Sequence, residues 1–157
     1  MSEADEGRAA VYAAEIAAFD GTSYEALVSF EMLVALAASI TSDGWWPHGH
    51  VEIRRAKAGA GSSSARQRAG DSPVVRLAET QLTTATLVHE LAHVLAGVAA
   101  GHGPRFRRAH VDLAGFAFGP VEAGWLLDAY AAMGLELGQR SWPAAPIRGG
   151  AGGPVAL

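Results

Sequence analysis

The residues best placed to do chemistry lie between positions 89 and 102. His89-Glu90-Leu91-Ala92-His93 sets two imidazoles four residues apart, with a carboxylate beside the first. On a helix, residues four apart stand one turn apart on the same face, with Cβ atoms roughly 5–6 Å from each other. Two imidazoles rooted there can reach one ion at about 2.0–2.1 Å, the usual zinc–nitrogen distance. Glu90 is rotated away from that line, which suits a base acting on a water beside the metal and not a ligand. The competing reading is a helix with two solvated histidines.

A catalytic zinc site takes three protein ligands and leaves one position open. Ala99 stands where a metzincin would place its third ligand, and Leu113, next to Asp112, where a thermolysin-type Glu would fall. His102 is the better candidate. Gly101 and Gly103 flank it and free the backbone to aim its ring back toward the preceding helix. The chemistry expected of this set is metal-assisted hydrolysis: Zn2+ on His89, His93 and His102 activates a water, and Glu90 takes its proton. His110 reads as a helix-surface histidine, with an oxyanion role as its alternative. His48 and His50 read as turn residues, and Trp45 and Trp46 as lids on the core.

These residues need elements to hold them. An alanine-rich helix is expected over Arg8–Phe19, with Tyr12, Ile16 and Phe19 on its inner face. Thr22, with Glu25 three residues on, predicts the start of a second helix running to Ile40, with Leu33, Leu36, Ala37 and Ile40 as its stripe. Period-two patterning predicts strands over His50–Lys57 and Val74–Glu79. The long Gly/Ser/Arg-rich connection between them suggests a third over Ser64–Ala69, because structureless loops of that length are uncommon. The sheet is then mixed or antiparallel. A helix capped at Thr83 or Thr84 carries the histidine pair toward Ala99. Pro104 opens another helix and Pro120 a last one, with Leu126, Tyr130 and Met133 on its stripe. The fold class is α+β: a small three-stranded sheet packed on helices. Residues 1–138 form one domain, and 139–157, rich in Gly, Pro and Ala without periodicity, read as a disordered tail.

The run from Val88 to Phe106, V-H-E-L-A-H followed by a spacer and G-H-G-P-R-F, resembles the SprT-like metallopeptidases, the group that includes Spartan. The strand V-V-R-L-A-E before it is similar as well. The likeness covers about Val74 to His110 and implies a zincin-like fold with the metal site on a central helix. It also implies His102 as the third zinc ligand and a protein or peptide substrate. The spacer after His93 is shorter than in Spartan, and a Cys-based zinc ribbon is lacking.

Composition bounds the rest. Half the residues are apolar, enough for one core, and cysteine is absent, which removes thiolate catalysis and fits a reducing, cytoplasmic setting. No apolar run suits a membrane span. The net charge of −4 conceals nine Lys/Arg against three acids between residues 54 and 108. That segment, with Arg54, Arg55, Lys57, Arg66, Arg68, Arg105, Arg107 and Arg108, is a candidate approach for nucleic acid or another anionic partner. Three functions follow: a peptidase, a nucleic-acid-associated peptidase, and a metal-stabilised module without turnover. Glu90 speaks against the last, since a structural site needs no base.

Overall fold

The computed structural model describes residues 7–146. They form an α+β arrangement of five helices and one small mixed sheet. No helix among them is long and apolar enough to cross a membrane.

Helix α1 (Arg8–Phe19) fills the predicted span, but its inner face is turned. Val11, Ala14, Glu15 and Phe19 are buried, while Ile16 is 60% exposed. The helix sacrifices burial of Ile16 to bring a carboxylate inside. The second helix starts later than the Thr22 pattern predicts. Thr22 Oγ1 donates to the Phe19 carbonyl at 2.6 Å and makes no capping bond; only a 3-10 turn over Ser23–Glu25 follows, after which the chain runs extended and Val28 N–H donates to the Leu82 carbonyl at 2.8 Å. Helix α2 (Phe30–Thr41) opens instead at Ser29, whose hydroxyl accepts from Met32 N–H at 3.1 Å. Its expected stripe of Leu33, Leu36, Ala37 and Ile40 is buried.

Strands β1 (Glu52–Arg55), β2 (Ser64–Arg66) and β3 (Val74–Leu77) pair in the order β1-β3-β2. β1 is parallel to β3 and β2 antiparallel to it. Alternation sends Val75 and Leu77 into the core and Arg54, Arg66 and Arg76 to the outer face.

Helix α3 (Thr84–Ala96) lies between the sheet and the helices that follow. Thr83 caps it, its Oγ1 accepting from Thr86 N–H at 3.0 Å. Nearly all of α3 is buried, so it is apolar around its circumference except where chemistry requires otherwise. It stops at Ala96, short of the expected Ala99, because Gly97 takes a φ of 92°, a value glycine adopts without steric cost. A 3-10 turn over Val98–Ala100 and the His102 loop then lead to α4 (Pro104–Ala117), which opens on Pro104 as predicted. Helix α5 (Pro120–Ala132) buries Leu126 and Tyr130, whereas Met133 is exposed just past its end. Trp45 and Trp46 are core residues.

The C-terminal expectation needs correction. Residues 139–146 are clamped to the body, while 147–157 lie outside the described residues. Arg140 donates twice to the Asp112 carboxylate, at 2.6 and 2.9 Å, and Trp142 Nε1 donates to the same group at 2.9 Å. Trp142 is buried, and Trp45 Nε1 donates to the Pro143 carbonyl at 2.7 Å. Upstream, Gly138 N–H meets the Pro104 carbonyl at 2.8 Å, and a Cβ there would lie 3.0 Å from that backbone. Irregular chain held by individual side-chain clamps has no periodicity for a sequence to display. Asp112→Ala should lower stability by about 2 kcal/mol, since it strands the Trp142 N–H and leaves Arg140 partnerless. A urea midpoint equal to wild type would show that the clamp contributes nothing.

Candidate metal centre

Three of the imidazoles picked out by spacing converge. His89 and His93 project from successive turns of α3, with ring centroids 5.2 Å apart. His102 comes back from its glycine-flanked loop to 4.6 Å from the His93 ring and 5.4 Å from His89. The Nε2 atoms of His89 and His102 stand 3.3 Å apart. Two ligand nitrogens on a tetrahedral zinc are separated by roughly 3.3–3.4 Å, so the pair already has the spacing an ion would impose. One ligand atom from each of the three rings lies within 4.8 Å of the others.

The scaffold around these rings explains the sequence. Phe106, wholly buried, wedges among the imidazoles, with centroids at 4.4 Å from His93 and 5.0 Å from both His89 and His102. Arg107 donates to the His102 carbonyl at 3.0 Å and to the Glu136 carbonyl at 2.8 Å, which fixes the loop behind the third imidazole. Tyr12 of α1 stacks on His89 at 5.2 Å and leans over His102.

Behind His89 sits the carboxylate that α1 buries. Glu15 Oε2 accepts from His89 Nδ1 at 3.1 Å, so the proton is on Nδ1 and the Nε2 lone pair faces the other imidazoles. Glu15 Oε1 lies 3.7 Å from His110 Nε2, and His110 Nδ1 is 2.6 Å from the Tyr130 hydroxyl. Tyr130 O–H donating to Nδ1 leaves the His110 Nε2–H directed at Glu15. His110, expected on the surface, is therefore fully buried in a second layer. Glu15, His89 and His110 could also hold an ion. All three are buried, Glu15 is already hydrogen-bonded to His89, and His110 Nε2 makes no hydrogen bond among the described residues, whereas His93 reaches partial exposure and opens the first group to solvent.

Electrostatics follow from this burial. Burial would raise the Glu15 carboxyl, but the charge and hydrogen bond of His89 outweigh it and hold Glu15 below its ordinary range. Burial depresses His89, and Glu15 more than restores it. His93 and His110, driven down by burial and by neighbouring imidazoles, fall to about 2 and about 3. Both are thus neutral, as metal binding demands of His93. Glu90 is pushed up to about 7 by burial, which the charge of His89 only partly offsets. It faces a cleft of about 320 Å³ shared with Tyr12, Leu27, Gln81, Thr83 and Thr86.

Other expected residues lie elsewhere. His48 and His50 are exposed, and His48 Nε2 contacts the Leu95 carbonyl at 3.1 Å. Asp112 belongs to the C-terminal clamp. Arg105, Arg107 and Arg108 do not line an approach to the site: they bind Ser141, the carbonyls of His102 and Glu136, and the carbonyl of Gly138. Spacing alone missed Tyr12, Glu15, Phe106 and Tyr130. Glu15 had a signal, an acid interrupting the Val11/Ala14/Phe19 stripe. No protein-family model, no curated protein and no solved structure matches the chain.

Two outcomes are expected. Glu15→Gln should fold and bind zinc roughly tenfold more weakly in competition with a chelator, as for other outer partners of metal-binding histidines. Unchanged affinity would remove Glu15 from the site. Metal-free protein should also lose thermal stability as pH falls below about 6.5. In that range the unfolded chain protonates His93 and His110 while the folded one does not; Glu90, protonated only when folded, offsets one of the two. The fall therefore steepens once the unfolded glutamates protonate too, below about 4.5. A melting temperature that stays flat from pH 7 to pH 4 would contradict the assignment of neutral, buried imidazoles.

Proposed function

We propose that this chain is a zinc-dependent peptidase of the SprT-like, zincin type, acting on a protein or peptide substrate. The observation that carries the reading is the convergence of His89, His93 and His102 beside a buried Glu90 that faces an open cleft. The donor set of three imidazole nitrogens suits Zn2+, and three protein ligands are the number of a catalytic site and not of a closed structural one. The ion held there would supply Lewis acidity, activating a water and polarising a carbonyl.

The protein's own groups divide the remaining work. Glu15 and Phe106 hold the His89 ring in one tautomer and one orientation. Arg107 holds the His102 loop. Glu90, its carboxyl held near neutrality at about 7, is poised to accept a proton from the attacking water and deliver it to the leaving nitrogen.

Zinc content and hydrolysis, measured together on three proteins, test this reading. Wild type should bind close to one zinc per chain, and His102→Ala should lose most of it. Glu90→Gln should keep the metal and lose roughly 10²–10⁴-fold in peptide cleavage, the usual contribution of a general base. Cleavage at the wild-type rate in Glu90→Gln would assign the base wrongly. A wild-type protein that takes up no zinc on reconstitution would remove the peptidase reading altogether.

A further inference from the structure

On the face of the sheet away from the core, an open trough of about 1020 Å³ runs over all three strands. Arg54 of β1, Arg76 of β3 and Ser64 and Arg66 of β2 form its floor, and Lys57 and Arg68 stand on the loops around it. Of the nine cations in the basic segment these five collect here, whereas Arg55 turns to the other side and lies over the Phe30 ring. Arg54 is paired with Glu52 at 2.7 Å. Lys57, Arg66, Arg68 and Arg76 make no ion pair among the described residues. The strand register sets Arg54 directly beside Arg76, and Arg76 is only partly exposed on the central strand. Like charges opposite one another on a sheet are destabilising, so a face with no anionic partner has reason to avoid that pairing.

We infer that this trough docks an acidic segment of polypeptide. Charge complementarity requires an anion, and three features select a peptide over nucleic acid. Among the described residues no aromatic ring lines the trough, so bases would find no stacking platform there. Glu52 and Asp71 lie within it, where an unbroken row of phosphates would be repelled but spaced carboxylates need not be. β2 is an outer strand, and an extended chain added along its edge would turn alternate side chains toward Ser64 and Arg66. Val98, which lies in sequence between the ligands His93 and His102, also lines the trough, so a docked chain reaches the segment that joins them. The choice of a polypeptide rests on the peptidase reading; the charge argument does not.

The test is fluorescence anisotropy on full-length Glu90→Gln protein, which cannot consume its ligand. The probes are a fluorescein-labelled peptide of alternating glutamate and alanine and a labelled single-stranded oligonucleotide of similar length. The peptide should bind at low salt and the oligonucleotide more weakly. Adding Arg66→Glu should weaken peptide binding roughly tenfold, while Arg55→Glu, the same charge change on the opposite face, should leave it within about twofold. Absence of peptide binding, equal losses in the two variants, or tighter binding of the oligonucleotide would each overturn the inference. Because anisotropy needs no turnover, those failures are distinct from failure of the peptidase reading, which zinc content and cleavage of an uncharged peptide report separately.

Discussion

The hydrogen bond from His89 to Glu15 is the contact around which the rest is arranged. A carboxylate inside a protein is costly unless it is paired and hydrogen-bonded, and here its partners are two imidazoles that are themselves buried. That requirement turns α1 so that Ile16 faces water, brings Tyr12 over the His89 ring, and places His110 in the core against Tyr130. The helix carrying Glu15 and the helix carrying His89 are far apart in sequence, so the bond also closes a large part of the fold onto the imidazole cluster.

The molecule divides its two kinds of surface between two sides. Helices α1, α3 and α4 assemble a desolvated cluster of rings in which the protonation of each group is set by burial and by its neighbours. The sheet turns its charged side outward, where Arg54 is paired with Glu52 and the other four cations make no ion pair among the described residues. β3 joins the two sides: its Val75 and Leu77 are in the core, and its Arg76 is in the trough.

How much of this could be read from the sequence depends on whether the signal was local. His89, Glu90 and His93 have fixed spacing on a helix whose cap and apolar residues are adjacent in the chain, and the loop that returns His102 is marked by its glycines. The three strands were legible from alternation and from an implausibly long loop, whereas the choice between a mixed and an antiparallel sheet was left open, because strand direction is set by pairing across the fold. Ser29 displaced Thr22 as the cap of α2 because the turn after Thr22 ends at Glu25 and a backbone bond from Val28 to Leu82 holds the chain extended before Ser29, a tertiary contact with no local trace. The burial of His110 and the role of Glu15 depend on each other across the fold, and neither can be assigned without the partner. Residues 139–146 escaped for a related reason, since their order comes from Asp112, Trp45 and Arg105.

Arg107 has a consequence beyond holding a loop. Its guanidinium spans the carbonyl of His102 and that of Glu136, so one side chain belongs both to the ligand loop and to the chain leading into the C-terminal clamp. Two equilibria that share a contact are coupled, and the coupling is reciprocal: whatever free energy ion binding lends to the order of residues 136–143, the order of those residues returns to ion binding. An ion held by the three imidazoles would therefore owe part of its affinity to the ordering of a segment that none of those imidazoles touches.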